Sequence, residues 1–382
     1  MGVLRVERTG GGEWVTPQQG SAWQRFDVQL TFYGAALAIL GLLMAWSNSS
    51  GAPLAPGSVF TRGLMWFAVA MAAFTVAAAA DTRWLRTFSW LIYVVNLGLL
   101  VLTLAIGSGV GGVSRWVSIA GLQFQFSEVA KILMIGVLAS FLASRRDRVG
   151  SLSTAIGAGL LMGPPFVLVL LQPDLGTSLV FAAILLGMLF ITGIRIRWLA
   201  LGFAVVLAAA PILWTILADY QRRRLLSFLD PTADPLGSGF QLIQSQIAVG
   251  SGGLFGTGLN NGSAVAADLL PVQSTDFVAA VLFQELGFVG GIVVFALFVA
   301  LIWRVLLVGW RSEDVFGVAF AAGIASMLLF QLVVNVGMVI GVMPVTGIPL
   351  PFVTHGGASL ISIALGLGIL QSLNMRRGRP DW

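Results

Sequence analysis

Long apolar runs alternate with short polar segments along most of this chain. A helix that crosses the ~30 Å hydrocarbon core of a bilayer needs about 20 apolar residues. Ten runs are long enough, so we predict an all-α polytopic membrane protein with about ten transmembrane helices. The ten runs are residues 28–47, 61–80, 84–106, 127–144, 153–172, 175–193, 198–218, 276–303, 315–341 and 357–375.

The polar segments predict the domain organisation. Residues 1–25 have no apolar core like that of a signal peptide, so we expect a disordered tail. Residues 26–375 form a single membrane domain, and residues 376–382 form a second tail. Inside the domain, residues 107–126 and 219–275 are too long to be simple turns. Long ordered loops are usually functional, so these two segments are candidates for a site.

Composition supports the membrane assignment and narrows the chemistry. Hydrophobic residues make up 57% of the chain, charged residues make up 10%, and the mean hydropathy is +0.93. A soluble domain carries roughly 25% charged residues, so a water-soluble globular protein is excluded. The chain has no Cys and one His, which excludes disulfides, thiolate metal sites and cysteine nucleophiles. We therefore expect any catalytic side chain to be an Asp, Glu, Lys or Arg.

The positions of the 21 basic residues predict the orientation in the membrane. With the N-terminus in the cytoplasm, 15 of them fall on the inner side and 6 on the outer side. The positive-inside rule therefore places both termini in the cytoplasm and the loop 219–275 outside the cell. A cation on the disfavoured side needs a ligand or a structural partner. The six exceptions are Arg62, Arg115, Lys131, Arg222, Arg223 and Arg224.

The first group of candidate residues precedes and opens the fourth run. Glu128 and Lys131 are three residues apart, so they share one helical face and can pair. One interpretation is a neutralised ion pair that helps the helix to pack, because charges inside a membrane are usually paired. The other is that Lys131 and Arg115, at the outer rim, hold a phosphate.

Two further candidates lie in the polar segments. Asp174 belongs to a sharp turn between two runs, where it caps the next helix or lines a polar cavity. Arg222, Arg223 and Arg224 open the long loop, where they contact lipid headgroups or face an anionic substrate. The glycine-rich residues 250–258 match neither a P-loop nor a dinucleotide motif, and we expect a tight turn there.

Asp276 lies where the long loop returns to the membrane. Desolvation at this position makes a carboxylate a stronger base, so Asp276 is the candidate general base, and a helix cap is the alternative. Glu285 lies deeper in the same run, where a carboxylate marks a functional site or has a structural partner. Near the end of the chain, three prolines between Pro344 and Phe352 exclude a helix and predict a re-entrant segment. The lone His355 follows it, and we interpret it as structural.

Taken together and in this order, these segments resemble the shape, elongation, division and sporulation family of bacterial cell-wall proteins. Each motif is weak alone, but the ordered set is specific. The segments 244–253 and 335–341 are closest to the cell-elongation branch. The chain departs from the family pattern at Phe126, Ser274, Gln284 and residues 354–359. The matching segments are Arg115-Trp116, Ser127-Glu128 with Lys131, residues 172–177, Gly252-Gly253, residues 275–277, residues 285–287 and residues 344–352.

The resemblance implies a peptidoglycan glycosyltransferase that polymerises lipid II at the outer face of the bacterial cytoplasmic membrane. It also implies a class B penicillin-binding protein, a transpeptidase, as the partner that crosslinks the strands. Asp276 would be the catalytic base. A divalent cation, Mg²⁺ or Mn²⁺, would fit at the pyrophosphate as a cofactor. The residues expected to bind the pyrophosphate or line the cavity are Arg115, Glu128, Lys131, Asp174 and Glu285.

Two other classes of function remain open on physical grounds. Ten spans, broken helices and intramembrane charges also fit a transporter that flips lipid-linked precursors. A non-catalytic scaffold for a partner enzyme is a third class. A flippase needs polar groups along its whole path, whereas the candidate residues here fall near the outer side. That bias favours the polymerase.

Overall fold

The structure is a computed structural model, and it describes residues 22–49, 53–107, 115–119, 122–217, 219–230, 237–259, 276–354 and 356–377. Within these ranges the chain forms thirteen α-helices and one antiparallel two-stranded hairpin. His355 and most of the predicted tail, residues 1–21, lie outside the described residues. The elements are α1 Val28–Ser47, α2 Val59–Ala79, α3 Arg83–Thr87, α4 Ser89–Ile106, β1 Val117–Ile119, β2 Leu122–Phe124, α5 Phe126–Ser144, α6 Leu152–Leu171, α7 Leu175–Thr192, α8 Ile196–Ile216, α9 Asp219–Leu229, α10 Ser238–Ser251, α11 Val278–Trp310, α12 Val315–Val339 and α13 Gly357–Met375.

Every one of the ten predicted runs forms a helix, which confirms the polytopic membrane fold. Nine helices in the described part of the chain are long and apolar enough to cross a bilayer. The tenth, α8, has a shorter apolar stretch, Ile196–Ala209. The run 84–106 is divided at Phe88 into α3 and α4, and α11 continues past the predicted end at residue 303 to Trp310.

The polar segments contain structure that hydropathy did not predict. The hairpin pairs Val117 with Phe124 and Ile119 with Leu122, so the segment 107–126 includes two short antiparallel strands. The long loop contains the helices α9 and α10. Of the predicted N-terminal tail, the structure describes Ala22–Arg25 as a 3₁₀ turn.

The buried centre of the bundle is α12. It packs against α5, α7 and α11, while α13 packs against α2 and α5. These central helices carry many fully buried apolar side chains, including Ile135, Phe181 and Phe320. In contrast, α8 contacts mainly α7 and exposes large apolar residues such as Phe203. In a membrane those exposed residues face lipid.

Helix α11 is broken nine residues after it begins. Gly287 has φ 67° and ψ −170°, which interrupts the helical hydrogen bonds of its neighbours. The glycine-rich turn after α10 supplies the missing partners: Thr257 N and Gly258 N donate to the oxygens of Gln284 and Glu285, at 3.0 and 3.1 Å. Phe288 N and Val289 N in turn donate to oxygens of the turn, at 2.9 and 3.1 Å. The expected tight turn therefore forms, and it docks on a helix break.

The two ends of the bundle have different contacts. At one end, Arg304 contacts Asp27 at 2.8 Å and Arg86 pairs with Asp314. These are residues that the charge distribution assigns to the cytoplasm. At the other end lie the hairpin, the glycine-rich turn and the proline-rich segment. The sides assigned from the sequence are therefore consistent with one another in three dimensions.

Candidate functional site

Arg115, next to the hairpin, contacts the turn between α6 and α7. Its guanidinium donates to the backbone oxygens of Gln172, at 3.4 Å, and Pro173. It also lies 3.9 Å from Asp174 Oδ1. The described contacts of this guanidinium are therefore with the turn between α6 and α7.

Asp174 is the N-cap of α7 and also contacts the start of α5. As the N-cap of α7 it accepts from Thr177 N and Thr177 Oγ1, both at 3.0 Å, which confirms the cap. The same carboxylate accepts from Gln125 Nε2 at 3.1 Å and faces Arg115. Because Gln125 lies at the start of α5, this carboxylate joins the starts of two helices to the hairpin.

Glu128 and Lys131 form the predicted ion pair. Lys131 Nζ lies 2.8 Å from Glu128 Oε1, and the two side chains are 1% and 3% exposed. Glu128 Oε2 has no hydrogen-bond partner among the described residues. Lys131 is therefore enclosed in the bundle and not at its rim, so in this conformation it does not reach a phosphate at the surface.

Asp276 does not occupy the cap position of α11. The helix begins at Val278, and Phe277 is its N-cap residue. The backbone oxygen of Asp276 accepts a hydrogen bond from Asn335 Nδ2 at 3.1 Å. The residue is half-buried, at the point where the loop meets the bundle. These observations argue against the cap, and the general base stays a prediction.

The proline-rich segment 344–352 contacts both the Asp276 region and the turn of Asp174. As predicted, it contains no helix, and Gly347 has φ +74°. A methyl group added to Gly347 would lie 3.3 Å from Asp276 Oδ2 and 3.5 Å from Arg224 Nη1. On its other side the segment abuts Gly176, where an added methyl group would lie 2.6 Å from the oxygen of Thr346. The segment thus connects the Asp276 side of the site with the Asp174 turn.

Glu285 lies apart from these contacts. At about 1.5 Å per residue it is more than two helical turns from Asp276. Its carboxylate accepts a hydrogen bond from Ser47 Oγ, at the end of α1, and it is 1% exposed. Glu285 therefore links α1 to the broken helix α11, beside the docked glycine-rich turn.

A cavity of about 500 Å³ opens beside the hairpin. The exposed Arg62 lies at its polar mouth, and Thr354, Trp66 and Trp116 line it. Towards the middle of the bundle it meets a narrower apolar pocket between α1, α2 and α13, which shares Phe352 and Leu360 with it. A polar mouth above an apolar groove suits an amphipathic lipid.

Comparison with known proteins identifies the family. The family model described as a cell cycle protein, covering FtsW, RodA and SpoVE, matches residues 28–378. The chain belongs to this family. The family indicated by the motifs is confirmed.

Similar proteins cover nearly the whole chain. The peptidoglycan glycosyltransferase MrdB of Escherichia coli strain K12 is 38% identical over 94% of this chain and 97% of its own length. The stage V sporulation protein E of Bacillus subtilis strain 168 is 36% identical over 92% of this chain and 97% of its own length.

Solved structures agree with the fold. A chain from a peptidoglycan synthase complex that coordinates polymerisation and crosslinking superposes with a TM-score of 0.80 at 34% identity, covering 94% of this chain and all of that one. The rod shape determining protein RodA of Thermus thermophilus superposes with a TM-score of 0.68 at 28% identity, covering 94% of this chain and 99% of RodA.

Sequence reasoning left two neighbours of Asp276 out of the site. The sequence predicts that Arg222, Arg223 and Arg224 contact lipid headgroups or an anionic substrate, but it does not single out Arg224. Asn335 lies within the apolar run 315–341, and a single amide in such a run is itself a signal for a buried polar contact. Its amide is fully buried in the structure.

Proposed function

We propose that this chain is a peptidoglycan glycosyltransferase, a multi-pass protein of the bacterial cytoplasmic membrane that polymerises lipid II during cell elongation. The observation that carries the proposal is the half-buried Asp276, which shares one small space with the guanidinium of Arg224 at the predicted outer end of the bundle. Relatives that cover almost the whole chain are named for this activity, which supports the same function.

The chemistry needs a base and positive charge. In glycosyl transfer, the acceptor hydroxyl attacks the anomeric carbon while the bond to the pyrophosphate breaks. Asp276 accepts the proton of that hydroxyl as the general base. Fixed cations stabilise the negative charge that develops on the departing pyrophosphate. Arg115 and Asp174 hold the turn that the proline-rich segment abuts, while the buried Glu128, Lys131 and Glu285 hold the surrounding helices.

A divalent cation would depend on the substrate for most of its ligands. In the described part of the chain, no group of three or more Asp, Glu or His side chains converges on one point. Magnesium sites built on substrate phosphates use one or two protein carboxylates, and Asp276 offers one.

The polyprenyl tail of the substrate needs an apolar groove that opens to lipid. The cavity beside Trp66 and Trp116 continues into the apolar pocket between α1, α2 and α13. Arg62, at its mouth, is exposed on the predicted outer side, where it can meet the pyrophosphate.

The partner in this proposal is a class B penicillin-binding protein that crosslinks the new strands. Support comes from the similarity to a chain of a complex that coordinates polymerisation with crosslinking.

The transporter alternative requires polar groups across the bilayer. Among the described spans, Glu128, Lys131 and Glu285 lie towards the predicted outer end and Arg304 towards the inner end.

The test is polymerisation of purified lipid II by the purified protein, with and without its transpeptidase partner. We expect Asp276→Asn to lower the rate by about 10²–10⁴-fold, which is the usual contribution of a general base. Asp147→Asn is the matched control, because Asp147 is 90% exposed at the opposite end of the bundle. Both variants are checked for folding by thermal melting.

Wild-type rates from a folded Asp276→Asn protein would overturn the assignment of the base. If the wild-type protein makes no polymer even with its partner, and instead moves lipid II between the leaflets of a vesicle, the transporter replaces the polymerase.

A further inference from the structure

A second cavity, of about 690 Å³, opens at the predicted inner end of the bundle. It lies between the start of α4, the end of α5 and the middle of α6. Its volume falls within the roughly 300–1,000 Å³ of pockets that bind small molecules. The described residues that line it include none of the candidate site residues, so the cavity needs a separate explanation.

The lining of this inner cavity changes from polar to apolar with depth. At the mouth, Arg146 follows α5 in a 3₁₀ turn, Ser144 is exposed at the end of α5, and Ser89 opens α4. Val137 and Leu161 also line the cavity. Val137 is seven residues before Ser144, which places it about 10 Å deeper along α5. A polar mouth above an apolar wall suits an amphipathic molecule.

The charged residues of the lining leave one net positive charge. Arg86 is paired with Asp314, and its guanidinium lies 4.6 Å from the ring centre of Phe316, so this neutral pair is part of the wall. Arg146 is the third charged residue of the lining. Its contact with Asp147, at 3.8 Å, is weak because the two side chains are 75% and 90% exposed. One cation at the mouth matches the single negative charge of a phosphodiester.

Aromatic side chains place the mouth at the level of lipid headgroups. Trp90 lines the cavity and is 68% exposed. Trp84 and Phe88, just before α4, are also exposed, and their rings stack with centroids 5.2 Å apart. Exposed Trp residues are enriched at the interface between membrane and water. Basic pockets between membrane helices on the cytoplasmic side bind anionic headgroups, so a lipid of the inner leaflet fits this position.

We propose that the inner cavity binds an anionic phospholipid of the inner leaflet, with the phosphate at Arg146 and the acyl chains along Val137 and Leu161. A guanidinium presents two parallel N–H donors that match two phosphate oxygens. Ser89, on the opposite wall, adds a hydroxyl that can donate to the headgroup. This inference does not depend on the proposed polymerase, because it concerns the other side of the membrane and involves no reaction.

The experiment uses a phosphatidylglycerol that carries a photoreactive group beside its headgroup. The purified full-length protein is placed in phosphatidylcholine nanodiscs that contain a small fraction of this lipid, and crosslinked peptides are identified by mass spectrometry. We expect crosslinks within residues 89–93 and 140–146, which line the cavity from its mouth inwards. Displacement by unlabelled phosphatidylglycerol gives the apparent affinity. Crosslinks spread evenly around the inner end of the bundle would overturn the proposal.

Two variants at exposed positions test the contacts. Arg146→Gln should weaken binding by about fivefold, since a basic residue near an anionic lipid surface contributes about 1 kcal/mol. Its control is Arg148→Gln, which removes the same charge from an exposed side chain outside this cavity and should leave binding nearly unchanged. Ser144→Trp fills the mouth and should abolish the specific crosslinks. Its control is Ser153→Trp, at an exposed position that does not line the cavity.

A second arm distinguishes the possible sources of the phosphate. Inorganic phosphate and glycerol 3-phosphate present a phosphate without acyl chains, so neither should displace the photoreactive lipid. Displacement by either one as effective as that by phosphatidylglycerol would assign the cavity to a soluble anion and overturn the proposal. Stronger displacement by a polyprenyl phosphate than by phosphatidylglycerol would assign it to a carrier lipid and would also overturn it.

Thermal melting checks the folding of each variant. If Ser144→Trp does not fold, Arg146→Gln decides, and if Arg146→Gln does not fold, Ser144→Trp decides. Wild-type crosslinks and affinity in the folded variant would contradict the proposal. Equal losses of affinity in Arg146→Gln and Arg148→Gln would reduce the effect to general attraction between the charged loop and the membrane, and the specific site would be rejected.

Discussion

Asn335 holds Asp276 through its backbone: Nδ2 of Asn335 donates to the oxygen of Asp276 at 3.1 Å. The same nitrogen donates to the oxygen of Ile348 at 2.7 Å, next to Gly347. One fully buried amide on α12 therefore ties the loop that carries Asp276 to the proline-rich segment opposite it. Asn335 does not touch the reacting atoms in this arrangement, so it is a positioning residue.

We predict that Asn335→Ala lowers kcat for lipid II polymerisation, by up to about 100-fold, with a smaller effect on KM. A displacement of about 1 Å in a catalytic group is enough for such a loss. The control is Asn96→Ala, because Asn96 is also a fully buried amide and has no hydrogen-bond partner among the described residues. Equal losses of kcat in the two variants would reduce Asn335 to a general structural role.

The Glu128–Lys131 pair predicts a non-additive effect on stability. Removing either partner leaves a buried charge without its counter-ion, at a cost of about 3–5 kcal/mol. Glu128→Gln with Lys131→Met replaces both charges by side chains of similar size, so we expect the double variant to recover most of the loss. Melting temperatures in detergent measure this. Strictly additive losses would argue against the pair, and recovered stability without recovered activity would show that the charges also serve the substrate.

The break at Gly287 predicts a specific destabilisation. A methyl group at this position would overlap the backbone nitrogen of Gly256, and φ is +67°. Because a left-handed conformation alone costs about 1–2 kcal/mol for a residue with a side chain, Gly287→Ala should lower the melting temperature clearly. Gly159→Ala is the control: nothing lies within 4 Å of its added methyl group, and Ala is favoured in a helix by roughly 0.5–1 kcal/mol. Similar melting temperatures for the two variants would contradict the docking of the turn.

The orientation in the membrane is tested by labelling single cysteines, since the chain contains none of its own. Cys replacing Arg223 should react with a membrane-impermeant maleimide in intact cells, because that exposed side chain lies on the predicted outer side. Cys replacing Asp147, which is 90% exposed at the other end, should react after the cells are opened. The reverse pattern would place Asp276 in the cytoplasm and remove the extracellular polymerase.

Much of the fold follows from local sequence. The last predicted span, residues 357–375, coincides with α13, and the Glu128–Lys131 pair follows from a spacing of three residues. Helix α12 also ends locally, at Val339, because Gly341 adopts a left-handed conformation with φ +79° just after the C-cap. Each of these outcomes depends on residues within one or two helical turns.

The arrangement of the candidate site was decided by the tertiary structure. Sequence patterns marked Arg224 and Asp276 separately, but they could not tell which of three adjacent arginines turns towards the acid. They did not predict that Gly287 breaks α11 to receive the turn at Gly256, nor that Asn335 reaches two loops. A segment enters lipid because of its own apolar surface, whereas a contact between distant segments depends on how several helices pack and rotate against one another. The composition of one helix determines its depth in the membrane. Only the packing of neighbouring helices determines which of its side chains contact residues of other segments.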